Sequence, residues 1–95
     1  RDSLALLGVS YFRLGLINEK SRHFSEAVAN FSEALRYILP ASKKELADVY
    51  YYRGRSHFNL NEKELAEADL QKSIEMDPQH REARGLLKSV KTPIR

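Results

Sequence analysis

Three histidines have the widest chemical repertoire in this chain, because imidazole can act as a metal ligand, a general base or a general acid. They are His23, His57 and His80, separated by 34 and 23 residues. None lies one helical turn from another, which is the spacing that places two ligands on one helix face. The chain also has no cysteine to complete a zinc site. The sequence therefore predicts no metal or other cofactor, and His57, on an apolar stripe, is interpreted as a hydrogen-bonded core histidine.

Catalytic patterns are equally sparse. Glu62, Glu64 and Glu67 cluster at the start of a helical segment, where acidic side chains complement the helix dipole and face water. Residues 8–12, of sequence GVSYF, lack the second glycine of a nucleophile elbow. No glycine-rich phosphate loop precedes a lysine. We therefore expect a protein that is not an enzyme.

Five segments with helical periodicity must position these residues. Ser42 and Glu45 form a capping box that begins the third segment, and Ser25 and Asn61 are further candidate helix starts. The predicted segments are about 4–21, 25–39, 43–59, 62–76 and 79–91. No segment alternates with the period of a strand, and the connections are short, so an all-α fold with antiparallel neighbours is predicted.

Two pairs of segments repeat one pattern. Each pair places a tyrosine and a glycine four residues apart on its first helix, and a small-large-small series on its second helix. The first copy consists of Tyr11, Gly15, Ala27, Phe31 and Ala34, and the second of Tyr50, Gly54, Ala66, Leu70 and Ser73. This pattern resembles the tetratricopeptide repeat, a helix-turn-helix unit of about 34 residues. The resemblance implies a right-handed superhelical stack of antiparallel hairpins.

The resemblance also implies a division of the chain. One domain would span 1–95, with repeat one at about 8–41, repeat two at about 47–80 and a terminal capping helix at about 79–91. The two glycines Gly15 and Gly54 should let paired helices approach closely. Asn61 stands where the family has a glycine between helices, which is acceptable because asparagine tolerates left-handed geometry.

The predicted binding surface follows from the repeat geometry. In this family the first helix of each repeat lines a concave face. The candidate partner-binding residues on that face are Phe12, Leu16, Tyr51, Tyr52, Arg55 and Phe58. Aromatic and arginine side chains are enriched in binding hot spots. We therefore expect an adaptor that binds a peptide or helix of another protein, with Arg55 meeting a carboxylate or polar group of that partner.

A second interpretation concerns the stretch from Leu4 to Ile17, which is apolar nearly all the way round. Such a helix normally packs on both sides. It favours a structural role, either self-association or docking to another part of the same protein. At about 14 residues and with a charge at Arg13, the stretch is shorter than the roughly 20 residues of a membrane span. We expect no membrane span.

Two functions known in related families are disfavoured. Chaperone-tail binding requires a clamp of Lys, Asn and Arg, but the matching positions here are Phe12, Leu16, Tyr52, Glu82 and Leu86. An RNA-binding helical repeat would spread basic residues along a whole face. Here the net charge is only +3, and residues 81–95 hold five Lys and Arg against one Glu. A nucleic-acid partner is therefore not expected.

The composition is that of an ordinary globular domain. The 95 residues are 42% hydrophobic and 31% charged, with both signs mixed. The chain begins at Arg1 and shows no cleavable leader. We therefore expect a piece of a longer protein, located in the cytoplasm.

Overall fold

The computed structural model of the protein describes residues 2–38 and 42–92. These residues form five helices and no strand, which confirms the all-α prediction. Most of the turn expected after the first repeat, including Leu39 and Pro40, lies outside the described residues. The helices are α1 (Asp2–Lys20), α2 (Phe24–Tyr37), α3 (Lys43–Asn59), α4 (Lys63–Met76) and α5 (Arg81–Lys91).

The helices form the stacked helical hairpins that the repeat pattern predicts. α1 pairs with α2 and α3 pairs with α4, while α2 contacts α3 and α4 contacts α5. The stack is an α-α superhelix in which each helix packs mainly on its neighbours in the chain.

Of the three predicted capping residues, only Ser42 occupies the capping position of its helix. α2 begins at Phe24, with His23 in the capping position, so Ser25 lies inside its first turn. Ser42 does precede α3, but its side chain makes no capping hydrogen bond. At the third predicted start, Asn61 has a φ of 63°, as expected for left-handed geometry, and Glu62 occupies the capping position of α4.

The start of α5 uses a cap that the sequence did not reveal. The Nδ1 atom of His80 accepts a hydrogen bond from the backbone N–H of Ala83 at 3.2 Å. Because Nδ1 accepts, the ring proton is on Nε2, which donates to Oδ1 of Asp48 at 2.9 Å. His80 therefore joins the start of α5 to α3.

The glycines allow close helix contact, as predicted. A Cβ atom at Gly15 would lie 2.5 Å from the ring of Phe31, and one at Gly54 would lie 3.1 Å from Cγ of Leu70. These distances are shorter than van der Waals contact. The small residues of the second helices, Ala27, Ala34, Ala66 and Ser73, are completely buried. The small-against-large packing of the two hairpins is confirmed.

The apolar interior consists of two clusters. The first cluster lies between α1, α2 and α3 and contains Ala27, Phe31, Ala34 and Val49. The second cluster lies between α3, α4 and α5 and contains Tyr51, Ala66, Leu70, Ala83 and Val90. Tyr52 packs against both clusters and so connects the two hairpins.

The three consecutive tyrosines of α3 do not face as predicted. Tyr50, one helical turn before Gly54 in the repeat pattern, is predicted to lie in the core with Gly54. It is only half-buried, and the guanidinium of Arg53 lies 5.6 Å from its ring centre. Tyr51 is the buried member of the three. Gly54 and His57 are nevertheless buried as predicted, so the buried side of α3 is wider than expected because α3 packs on α4 and α5 at once.

A polar network crosses the boundary between the repeats. Arg53 donates two hydrogen bonds to the carboxylate of Asp69, at 2.7 and 2.8 Å, and a third to Oγ of Ser32 at 3.1 Å. His57 donates from Nδ1 to Glu62 at 2.7 Å, and its Nε2 lies 3.8 Å from Asp69. The interpretation of His57 as a hydrogen-bonded core histidine is confirmed. The network joins α2, α3 and α4.

Candidate protein-binding groove

The groove surface is formed by the first helices of the stack. α1 contacts α3, and α3 contacts α5, so these three helices lie side by side. Here we call "the groove" the surface formed by Phe12 and Leu16 of α1 with Tyr52 and Arg55 of α3. These four residues are half-buried, which leaves part of each side chain open to a partner.

Aromatic contacts fix the floor of the groove. The ring of Phe12 lies 5.7 Å from that of Tyr52 and 5.8 Å from that of Phe31, both between centroids. Leu16 packs on the same apolar cluster. Because Phe31 is fully buried, the groove floor rests directly on the first core cluster. Burial also raises the pKa of Tyr52 above its usual value.

Arg55 is already paired within the chain. Its Nε and Nη2 atoms donate to the two carboxylate oxygens of Glu19 at 2.6 and 2.8 Å, and Nη1 donates to the hydroxyl of Tyr51 at 3.1 Å. Its guanidinium also lies 4.8 Å from the ring centre of Tyr52. The hydrogen bonds that Arg55 donates to Glu19 raise the pKa of Arg55 further above its ordinary value.

This pairing corrects the expected role of Arg55. The Glu19 side chain is only 8% exposed, and its carboxylate neutralises the charge of Arg55. A partner carboxylate would therefore have to compete with a bidentate internal ion pair. The sequence placed Glu19 on the same helix face as Phe12 and Leu16, but it gave no signal that this carboxylate pairs with Arg55.

Tyr51 is not an open groove residue, and Phe58 lies apart from the groove. Tyr51 is 8% exposed, and its ring lies 5.0 Å from that of His80. Phe58 is half-buried and packs on the same core cluster. Both side chains were predicted to face a partner, but Tyr51 is buried in the second core cluster, whereas Phe58 stays partly exposed. Of the six candidate residues, Phe12, Leu16, Tyr52 and Arg55 form the partly exposed surface of the groove.

A pocket of about 220 Å³ continues the groove toward the start of α3. Its walls are largely apolar, with Val9, Phe12 and Val49 among them, and Glu45 and Asp48 also line it. Asp48 is more than half exposed even though one of its oxygens accepts from His80. No pattern within one helix predicts this pocket, because it forms where three helices meet.

Within residues 2–38 and 42–92, no group of three or more histidine and carboxylate side chains has the arrangement needed to hold a metal ion. Over the same part of the chain, no helix combines the length and apolar character needed to cross a bilayer.

The family assignment rests on two matches. The tetratricopeptide repeat family matches residues 9–38 and again residues 47–80, more than half of the chain in total. The chain belongs to the tetratricopeptide repeat family. Each match covers one helical hairpin, and α5 begins at the end of the second match.

A solved tetratricopeptide structure has a distant resemblance to the chain. The solved structure of the first tetratricopeptide domain of Spaghetti (RPAP3), bound to the HSP90 peptide SRMEEVD, is 16% identical, with a TM-score of 0.44. The match covers 90% of this chain and 91% of that chain. No curated protein sequence matches the chain significantly. Tetratricopeptide repeats are generally non-catalytic scaffolds for protein interaction, and membership in the family makes this chain a protein-interaction module.

Proposed function

We propose that this domain is a non-catalytic cytoplasmic adaptor that binds a peptide or helix of a partner protein in the groove. The observation that supports the proposal most strongly is the continuity between the aromatic floor, formed by Phe12 and Tyr52, and the adjoining pocket of about 220 Å³. Concave, mostly apolar sites with a few polar groups are typical ligand sites. An apolar side chain of the partner would fill this pocket.

The charges around the pocket favour a partner segment that is apolar and basic. Glu45 and Asp48 line the pocket and are both exposed. Arg55, the cation nearest the aromatic floor, is neutralised by Glu19. A cationic side chain next to the apolar anchor would therefore be attracted to this end of the groove, whereas a carboxylate would be repelled.

The test compares partner capture by two matched double variants. Val9→Glu/Glu45→Lys places a charge in the pocket wall and reverses one of its acidic residues, and both positions are exposed. Because hot-spot contacts are typically worth about 2 kcal/mol or more, we expect at least about a tenfold loss of the partner captured from a cell lysate. The captured proteins are measured by quantitative mass spectrometry.

The matched control is Leu65→Glu/Glu64→Lys, which makes the same two kinds of change on the exposed side of α4. It should capture the partner as well as the wild type does. Circular dichroism establishes that both variants are folded. Equal capture by the groove variant and the wild type would show that the groove is not the binding site.

A second candidate function is self-association through α1. Leu6, Leu14 and Ile17 are 66%, 47% and 59% exposed on the side of α1 that faces away from α2. Contiguous exposed apolar surface of this kind marks interaction sites in many proteins. A second copy of the chain would cover this face.

Self-association predicts a molar mass that rises with protein concentration in sedimentation equilibrium. Leu14→Glu/Ile17→Glu should keep the protein monomeric at every concentration, because it places two charges in the apolar contact. The single change Leu65→Glu serves as the control for a new charge elsewhere. A monomeric mass for the wild type up to high concentration would eliminate this candidate.

A further inference from the structure

A basic stripe runs along α5 on the side away from the core. Its members are spaced by three or four residues, which places them on one helix face. They are Arg81, Arg84, Lys88 and Lys91, and all four are exposed. The opposite side of α5 contains the buried residues Ala83 and Val90, so the stripe faces outward from the second core cluster.

The repeat pattern shows which face of α5 this is. Arg84 and Lys88 lie 34 residues after Tyr50 and Gly54. On α3 that face receives the partner helix α4, and Gly54 allows the contact because a Cβ there would be 3.1 Å from Leu70. On α5 the residue that corresponds to Gly54 is Lys88, which has a long cationic side chain. A helix cannot pack there as closely as α4 packs on α3.

The same face borders a second, more open pocket, of about 570 Å³, between α4 and α5. Its floor is apolar and is formed by Ile74, Pro78 and Leu87. Arg84, Lys88 and Lys91 also line it. The pocket therefore combines an apolar floor with a cationic rim, and it lies outside the groove.

Most of the charge on this rim is not neutralised. Arg84 donates to the backbone oxygen of Pro78 at 3.3 Å, which leaves its charge uncompensated. The ammonium of Lys91 lies 3.9 Å from Glu67, the limit of an exposed ion pair. Among the described residues, no carboxylate lies within 4.0 Å of Arg84 or Lys88, the two central cations of the rim.

We propose that the pocket between α4 and α5 binds an acidic peptide segment of a partner protein. One apolar side chain of that segment lies on Ile74 and Leu87, and flanking carboxylates pair with Arg84 and Lys88. Charge complementarity selects an anionic ligand. The residues lining the pocket include no aromatic ring on which a base could stack, so a protein segment fits this surface better than single-stranded RNA does.

The probe is a fluorescein-labelled peptide of sequence EEELEEEE. The control peptide, EEEGEEEE, lacks the apolar side chain. Binding is measured by fluorescence anisotropy at low salt and at physiological salt. We expect the wild type to bind the leucine peptide about tenfold more tightly than the glycine peptide, because only the former buries an apolar side chain. Affinity should fall as salt rises.

Two matched variants distinguish binding at this pocket from binding that depends only on the net charge of the protein. Arg84→Glu/Lys88→Glu should weaken binding about tenfold or more, because two attractions become repulsions. Arg36→Glu/Lys72→Glu makes the same change in net charge at exposed positions outside the pocket and should retain most of the affinity. The milder variant Arg84→Gln/Lys88→Gln should weaken binding about threefold and tests the site if the charge-reversed protein is unfolded.

Several results would overturn the proposal. They are no binding by the wild type at low salt, an equal loss in the Arg36→Glu/Lys72→Glu protein, and tighter binding of an oligouridylate of equal charge. The proposal is independent of the groove. Val9→Glu/Glu45→Lys should leave the affinity for the acidic probe unchanged. The proposal for the groove and the proposal for this pocket are therefore tested separately.

Discussion

Replacing Phe31 by alanine is expected to lower the free energy of unfolding by about 3–5 kcal/mol, the usual cost of deleting a fully buried aromatic ring. The ring of Phe31 is completely buried and lies between Gly15 of α1 and the rings of Phe12 and Tyr52. Its removal leaves a cavity at the contact of three helices. Because small domains have only about 5–15 kcal/mol of stability, this loss removes a large share of it.

Urea denaturation followed by circular dichroism measures this effect. The control is Leu65→Ala, whose side chain is more than half exposed and should change stability by about 0.5 kcal/mol or less. A loss of under about 1 kcal/mol for Phe31→Ala would mean that the first hairpin is packed differently.

The close approach at Gly15 gives this experiment an internal test. In the wild type, Gly15→Ala should destabilise the protein, because the new Cβ would lie 2.5 Å from the Phe31 ring. With Phe31→Leu already in place, the same change should be better tolerated, because the shorter side chain leaves room. Additive effects of the two substitutions would argue against the contact.

Replacing Asp69 by alanine is the second change expected to have a large effect. Asp69 is nearly buried and accepts two hydrogen bonds from Arg53, so its loss leaves a partly buried guanidinium without its counterion. Breaking a buried ion pair typically costs about 3–5 kcal/mol. Because Arg53 retains some contact with water, we expect about 2–4 kcal/mol here.

The comparison with an exposed ion pair makes this prediction specific. Glu33→Ala removes the partner of Arg36 on the surface of α2 and should change stability by about 0.5 kcal/mol or less. The double substitution Arg53→Met/Asp69→Leu should recover much of the loss, since apolar residues of similar size can replace a buried pair. If Asp69→Ala and Glu33→Ala have equal effects in urea denaturation, the network does not stabilise the repeat boundary.

The sequence predicted the features that depend on local pattern. Helical periodicity indicated five helices, and the spacing of Gly15 and Gly54 indicated where the helices approach one another. His57 was recognised as a core residue because it lies on an apolar stripe. Each of these inferences uses residues within one helix or one hairpin, where the helical period fixes the geometry.

The sequence did not predict features that depend on how separate helices meet. Tyr50, Tyr51 and Tyr52 are similar side chains about 100° apart on one helix, so composition alone does not show which one is buried. The pairing of Arg55 with Glu19 joins residues 36 positions apart. The sequence also did not predict that His80 caps α5, because histidine is not among the common capping residues.

The pairing of Arg55 with Glu19 changes the expected charge of the ligand, but it leaves the expected location of the binding site unchanged. Phe12, Leu16 and Tyr52 remain the partly exposed apolar surface of the groove. With Arg55 neutralised, however, the charges next to the pocket are acidic, and the proposed partner segment becomes basic. The outward cations of α5 then form a separate surface with the opposite preference.

The packing of Tyr52 against both core clusters affects how the domain unfolds. In a linear array of repeats, cooperativity depends on the coupling between nearest neighbours. Tyr52 is part of the packing of both hairpins, and the Arg53 network joins α2 to α4 beside it. The two hairpins should therefore unfold as one unit, and hydrogen exchange of their backbone amides should slow together when a partner occupies the groove.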